Sequence, residues 1–63
     1  MNRVIIRVPV SDVVKAWRAS PELTYNTPYG ELVIVGYARG YLTYRDETGE
    51  GKIHTSQHLS VYD

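Results

Sequence analysis

The fold of this chain is decided by residues 40–63, GYLTYRDETGEGKIHTSQHLSVYD. Two runs of β-forming residues, 41–45 and 52–55, flank a polar segment at 46–51 that contains two glycines. A glycine readily takes the positive φ that a short hairpin loop needs. The stretch therefore predicts a β-hairpin whose four- or five-residue loop places one of these glycines at the positive-φ position.

A short capped segment and a last strand are predicted after the hairpin. Residues 55–59, TSQHL, predict a 3-10 turn, because Thr55 or Ser56 can cap it through a side-chain oxygen. Residues 60–62 predict a closing strand.

The chain begins with a pattern typical of a half-buried strand. In residues 2–10, NRVIIRVPV, apolar side chains alternate with other residues, and both arginines fall on the face opposite the valines. Pro9 cannot donate a hydrogen bond to a neighbouring strand, so it marks a sheet edge or the end of the strand.

The next segment, residues 11–20, predicts two or three turns of helix. Ser11 or Asp12 can serve as the N-cap, and the two valines and the tryptophan that follow fall on one side. Pro21 disfavours the helical conformation at the residue before it and ends the segment. Since valine and tryptophan also suit β structure, a strand at 13–17 is the alternative.

The middle of the chain predicts a loop followed by a buried strand. Residues 21–30 contain two prolines and end on a turn sequence, Asn-Thr-Pro-Tyr-Gly. Residues 31–39 contain the continuous apolar run 32–35, which is typical of a central strand covered on both faces. Gly36 predicts a bulge or a sharp bend in that strand, and Gly40 predicts a tight turn after it.

Composition sets limits on the fold and on the compartment. A chain of 63 residues forms one domain, 1–63, with a small core, so a partner chain or a second copy forming a homodimer would help to stabilise it. The absence of cysteine excludes disulfides and thiolate metal sites and fits a reducing compartment. No apolar run is long enough to span a membrane, and no signal-peptide pattern is present, so we expect a cytoplasmic protein without membrane contacts.

The second half of the chain resembles an SH3 domain. In that family an aromatic-led strand enters a distal hairpin with a Thr-Gly turn, and a Gly-aromatic-Ile-Pro strand, a 3-10 turn and a closing strand follow. The corresponding segments here are Tyr41-Leu42, Thr48-Gly49, Gly51-Lys52-Ile53, Ser56-Gln57-His58-Leu59 and Val61. The resemblance implies a mainly β fold, a small SH3-like barrel of about five strands, with one short helix or 3-10 segment near residues 12–19.

The resemblance does not extend to binding of proline-rich peptides. The Ala-Leu-Tyr-Asp-Tyr motif of that family is absent, and Gly40-Tyr41 stands where the family has paired tryptophans. Similar barrels occur in archaeal chromatin proteins, in bacterial SH3 domains and in phage or plasmid proteins. The fold alone therefore does not determine the function.

Side chains suited to catalysis are not grouped in a recognisable pattern. His54 and His58 are four residues apart, but one falls on a predicted strand and the other in a turn, so they do not predict a metal site. The carboxylates of Asp46, Glu47 and Glu50 fall on a predicted solvent-exposed loop without the apolar setting that separates the pKa values of an acid and a base. We expect no enzyme activity, no cofactor and no metal.

The tyrosines point to binding of another protein. The chain has six tyrosines, one tryptophan and no phenylalanine, and tyrosine is suited either to half-buried positions of a small barrel or to interfaces. With the start at Met1 we interpret the chain as a complete small protein, a non-catalytic protein-binding module that regulates or inhibits a host protein, as phage- or plasmid-encoded proteins do. The predicted protein-binding residues are Trp17, Tyr25, Tyr29, Tyr41 and Arg45.

Nucleic-acid binding is the alternative function. Arg39, Tyr41, Thr43, Arg45 and Lys52 can form a basic and aromatic strip on one face of the hairpin, where tyrosine stacks on bases. The formal net charge of zero and the three carboxylates of the adjacent loop count against this alternative.

Overall fold

The computed structural model describes residues 3–63 and has a mainly β fold with one short helix, as predicted. Asn2, where the first strand was predicted to start, lies outside the described residues. The elements in chain order are β1 (Ile5–Pro9), α1 (Val10–Ala19), β2 (Thr24–Thr27), β3 (Gly30–Ala38), β4 (Tyr41–Asp46), β5 (Gly49–His54) and β6 (His58–Tyr62).

The strands form two antiparallel sheets and not one closed barrel. One sheet has the order β2-β3-β4-β5, and the other pairs β1 with β6. β2 and β6 lie next to each other, but within residues 3–63 no backbone ladder joins them. The chain turns into α1 directly after β1, and α1 packs its apolar side against the interior. The buried apolar side chains are Val10, Val13, Val14, Leu32, Ile34, Leu42, Leu59 and Val61.

The helix begins without the side-chain cap that was predicted. Pro9 is its N-cap residue, so the prediction of Ser11 or Asp12 at this position is wrong. The backbone N–H of Val10 instead donates to the carbonyl of Gln57, at 3.0 Å. A turn distant in sequence thus binds a donor at the helix start, and a local cap is not required there.

The predicted loop at residues 21–30 contains a strand, β2, which pairs with β3. Thr27 is buried and organises the turn between them, since its hydroxyl accepts a hydrogen bond from Tyr29 N and donates one to Gly30 O. Tyr25, also on β2, is half-buried, and desolvation raises the pKa of its phenol. The four polar-rich residues of β2 carry no strand pattern of their own and become a strand because β3 offers its edge.

β3 is covered on one face only, so the prediction of burial on both faces is wrong. Leu32 and Ile34 are buried, whereas Val33 and Val35 are exposed on the other side of the sheet. The predicted bulge is confirmed, because the pairing of β3 with β4 shifts between Ile34 and Gly36.

The hairpin of β4 and β5 is confirmed, with a shorter loop than predicted. Asp46 pairs with Gly49, which leaves two residues in the turn, and Gly49 has a φ of 124°. Between β5 and β6 the chain makes one turn, in which Gln57 N donates a hydrogen bond to His54 O. The side chain that accepts a backbone hydrogen bond in this turn is the His54 ring, to which Ser56 N donates. The predicted capping role of Thr55 or Ser56 is therefore wrong.

Candidate functional site

A cavity of the described residues lies between the β2–β3 turn, the β4–β5 turn and β6. Its volume is about 170 Å³. Two buried leucines form an apolar floor, and two tyrosines stand beside it. We call it the Tyr29–Tyr44 pocket. It is lined by Thr27, Tyr29, Leu32, Tyr44, Asp46, Leu59 and Ser60.

Tyr29 is held in place because the two hairpin tips are joined. Its carbonyl accepts a hydrogen bond from Glu47 N, at 3.2 Å. The Glu47 side chain also packs against the α-carbon of Gly30, where any added Cβ would collide with it. Gly30 has a φ of 95°, which a residue with a side chain rarely adopts. Tyr29 nevertheless remains 63% exposed and is free to contact a ligand.

Tyr44 owes its position to a glycine on the neighbouring strand. It pairs with Gly51, and a Cβ added to Gly51 would lie 2.5 Å from the hydroxyl oxygen of Tyr44. The phenol ring therefore packs over the bare backbone of β5. Any larger residue at position 51 must displace this ring, which lines the pocket.

The rim of the pocket carries a stable negative charge. Asp46 Oδ1 accepts hydrogen bonds from the hydroxyl of Thr48 and from its backbone N–H, the latter at 2.8 Å. These bonds stabilise the carboxylate and hold the pKa of Asp46 below its usual value. Glu47 lies at the same end of the molecule. An apolar cavity with an ionised rim suits a side chain that has an aliphatic stem and a basic head.

The predicted nucleic-acid strip is largely assembled on the outward face of the hairpin. Thr43 pairs with Lys52, and the Lys52 ammonium lies 5.5 Å from the centroid of the Tyr41 ring. The Arg45 guanidinium, however, is paired with the Glu50 carboxylate at 3.2 Å. The fifth predicted residue, Arg39, lies in the turn between β3 and β4.

The five predicted protein-binding residues do not share one surface. Tyr29 lines the pocket, whereas Tyr41 is at the opposite end of β4, roughly 17 Å away for five residues of strand. Trp17 and Tyr25 are partly buried against the core, and Arg45 points outward. The leucines of the floor and Tyr44 were not predicted as site residues. Their one signal in the sequence is a glycine in the strand that pairs with β4, since it leaves room for an aromatic ring.

Comparison with known proteins identifies no relative. The chain matches no protein-family model, no curated protein and no solved structure to a significant degree.

The described part of the chain lacks two further kinds of site. Among residues 3–63 no group of three or more histidine, aspartate or glutamate side chains is placed to hold a metal ion. In the same residues no helix has the length and apolarity needed to cross a membrane.

Proposed function

We propose that this chain is a non-catalytic protein-binding module that accepts one anchor side chain of its partner in the Tyr29–Tyr44 pocket. The observation that supports this is an apolar floor of Leu32 and Leu59 beneath two tyrosines, of which Tyr29 is mostly exposed. Few side chains dominate the energy of most interfaces, and they occupy such pockets.

A partner side chain that fills the Tyr29–Tyr44 pocket contributes to the affinity of the complex. Each Å² of apolar surface that a partner side chain buries there contributes about 25 cal/mol to the free energy of binding. A basic head at the rim would gain further from the ionised Asp46 and from the faces of the tyrosine rings. We therefore propose arginine or lysine, flanked by aliphatic residues, as the anchor.

A module that buries one side chain of its partner acts by occupying the partner's surface. Regulation or inhibition of a host protein, as by phage- or plasmid-encoded proteins, is the role that we propose for it. We also keep the SH3-like architecture as a hypothesis, which is supported by the order of hairpin, turn and closing strand over β4, β5 and β6.

The test is selection of binding peptides from a random library on the immobilised protein, followed by calorimetry with variants. We expect the selected peptides to share a basic residue beside aliphatic ones, and Tyr29→Ala to weaken their binding about tenfold or more. Asp46→Asn should weaken basic peptides alone. Tyr41→Ala is the matched control, since it removes an exposed tyrosine from another face. Loss of binding with Tyr41→Ala and not with Tyr29→Ala would contradict the proposal.

Nucleic-acid binding is a second candidate because Lys52 and Tyr41 lie together on the outward face. Fluorescence anisotropy with a labelled single-stranded oligonucleotide tests it. Binding should appear at low salt, fall steeply as salt rises, and weaken in Lys52→Ala. No binding at low salt would exclude this function.

A further inference from the structure

The outer edge of β1 presents hydrogen-bonding groups that no other strand within residues 3–63 uses. The sheet of β1 and β6 has two strands, and its ladder ends with Asp63 N donating to Val4 O, at 2.8 Å. In an antiparallel ladder successive residues point alternately toward and away from the partner strand. The N–H and C=O groups of Ile5 and Arg7 therefore point away from β6, toward the open side. We call this side the β1 edge.

The β1 edge also exposes apolar side chains on both of its faces. Val4 is 61% exposed, Ile5 53% and Ile6 38%. Edges of sheets are normally protected by charge, proline or a covering element, because they readily pair with other strands. Here Pro9 blocks only the end of β1 next to the helix. Three adjacent exposed aliphatic residues beside free backbone groups form a surface suited to an added strand.

The positive charge of the β1 edge favours an acidic partner. Arg3 and Arg7 lie on the same face as Ile5, and neither forms an ion pair within residues 3–63. The Arg3 guanidinium lies 5.1 Å from the centroid of the Tyr62 ring, and Asp63 is paired with the backbone of Val4 without binding either arginine. A second copy of this strand would bring four arginines into one ladder. A strand with carboxylates at the matching positions is favoured instead.

We propose that the β1 edge binds an extended segment of a partner protein, in which two acidic residues flank aliphatic ones, as a third antiparallel strand. The acidic residues lie opposite Arg3 and Arg7, and an aliphatic residue lies opposite Ile5. Backbone groups of the segment bind those of Ile5 and Arg7. This surface is separate from the Tyr29–Tyr44 pocket, so it does not depend on the function proposed above.

The test uses the whole chain labelled with nitrogen-15 and two short synthetic peptides. One contains Glu-Val-Val-Val-Glu, and the control contains Lys-Val-Val-Val-Lys. At saturation we expect the acidic peptide to slow hydrogen exchange of the Ile5 and Arg7 amides by about tenfold or more, and the basic peptide to leave them unchanged. Binding should weaken as NaCl rises from about 50 mM to about 0.5 M, because salt screens exposed charges.

Three variants distinguish strand addition at the β1 edge from non-specific attraction between charges. Ile5→Pro removes an N–H that is not used inside the sheet, so it should keep the fold and lose the peptide. Arg7→Glu leaves one positive and one negative side chain on this face, so it should abolish the preference for the acidic peptide. Lys15→Glu, the same charge change on the exposed side of α1, should change affinity less than about twofold. If Ile5→Pro does not fold, Arg7→Glu decides the question. Tyr29→Ala should bind the acidic peptide normally, which separates this result from that of the pocket.

Several outcomes would overturn the proposal. They are equal binding of both peptides, amide changes located outside β1, and no change at the highest peptide concentration. Protection of the Ile5 and Arg7 amides that grows with protein concentration in the absence of peptide would also overturn it, because a second copy of the chain would then occupy the β1 edge.

Discussion

Arg39 holds a backbone conformation that its side chain disfavours, and replacing it should stabilise the protein. The turn between β3 and β4 consists of Arg39, with a φ of 54°, and Gly40, with a φ of 80°. Positive φ at both central residues is the type I′ hairpin turn, whose preferred sequence is Asn-Gly. The change that follows is Arg39→Asn, because asparagine enters the left-handed region more readily than arginine does.

The expected gain is small but measurable. The left-handed conformation costs a residue with a Cβ about 1–2 kcal/mol, and asparagine should recover about 0.5–1 kcal/mol of this. Little is lost in exchange, because the Arg39 side chain is exposed and makes no ion pair within the described residues. For a domain of this size about 1 kcal/mol shifts Tm by roughly 4–8 °C, so Tm should rise by about 2–8 °C.

Thermal unfolding followed by circular dichroism measures the shift. Arg39→Ala is the control, because it removes the charge and keeps the Cβ in the same strained conformation. We expect it to leave Tm within about 2 °C of the unsubstituted protein. If Arg39→Ala raises Tm as much as Arg39→Asn, the gain comes from removing the charge and the conformational argument is refuted. A fall in Tm for Arg39→Asn would refute it as well.

Three further predictions concern the core, the pocket and the acid response. Leu42→Ala removes a fully buried side chain and should lower the free energy of unfolding by about 2–5 kcal/mol. The whole domain of 63 residues is stable by roughly 3–9 kcal/mol. Denaturant titration measures the loss, and Val33→Ala, at an exposed position, is the control. Gly51→Ala should displace the Tyr44 ring and change its NMR signals, and an unchanged ring would contradict the packing described. Because the pKa of Asp46 is lowered in the folded protein, its contribution to stability is present above about pH 4 and is lost as pH falls through the lowered pKa. Asp46→Asn should therefore lose less stability than the parent between about pH 5 and 2, and equal losses would contradict this.

The local signals in the sequence were reliable where one residue type is nearly required. Gly36 predicted a bulge or a sharp bend in β3, and a bulge is present there. The glycines at positions 49 and 51 predicted a positive φ in the hairpin, and Gly49 has it. Proline at position 21 predicted the end of the helix. Each signal depends on backbone geometry within a few residues, so it can be read without knowledge of distant contacts.

The errors arose where a distant segment replaced a local interaction. The helix start uses the carbonyl of Gln57 in place of a side-chain cap, and β2 is a strand because β3 is beside it. The apolar run of β3 predicted two covered faces, but no layer of the described chain lies over Val33 and Val35. Neighbouring elements determine which apolar residues are covered, and the pattern of one strand does not contain that information.

The sequence by itself determined the mainly β class, the hairpin of β4 and β5, the short helix and the absence of disulfides, because propensity and turn chemistry act over short distances. Tertiary structure alone decided that the strands form two sheets, that Tyr29 and Tyr44 line one pocket with Leu32 and Leu59, and that β1 keeps a free edge beside two arginines. The residues of that pocket come from β2, β3, β4, β6 and the turn between β2 and β3, and only packing brings them together. The stretch at residues 40–63 thus determines the framework of the fold, while the surfaces proposed for binding depend on what the first half of the chain packs against it.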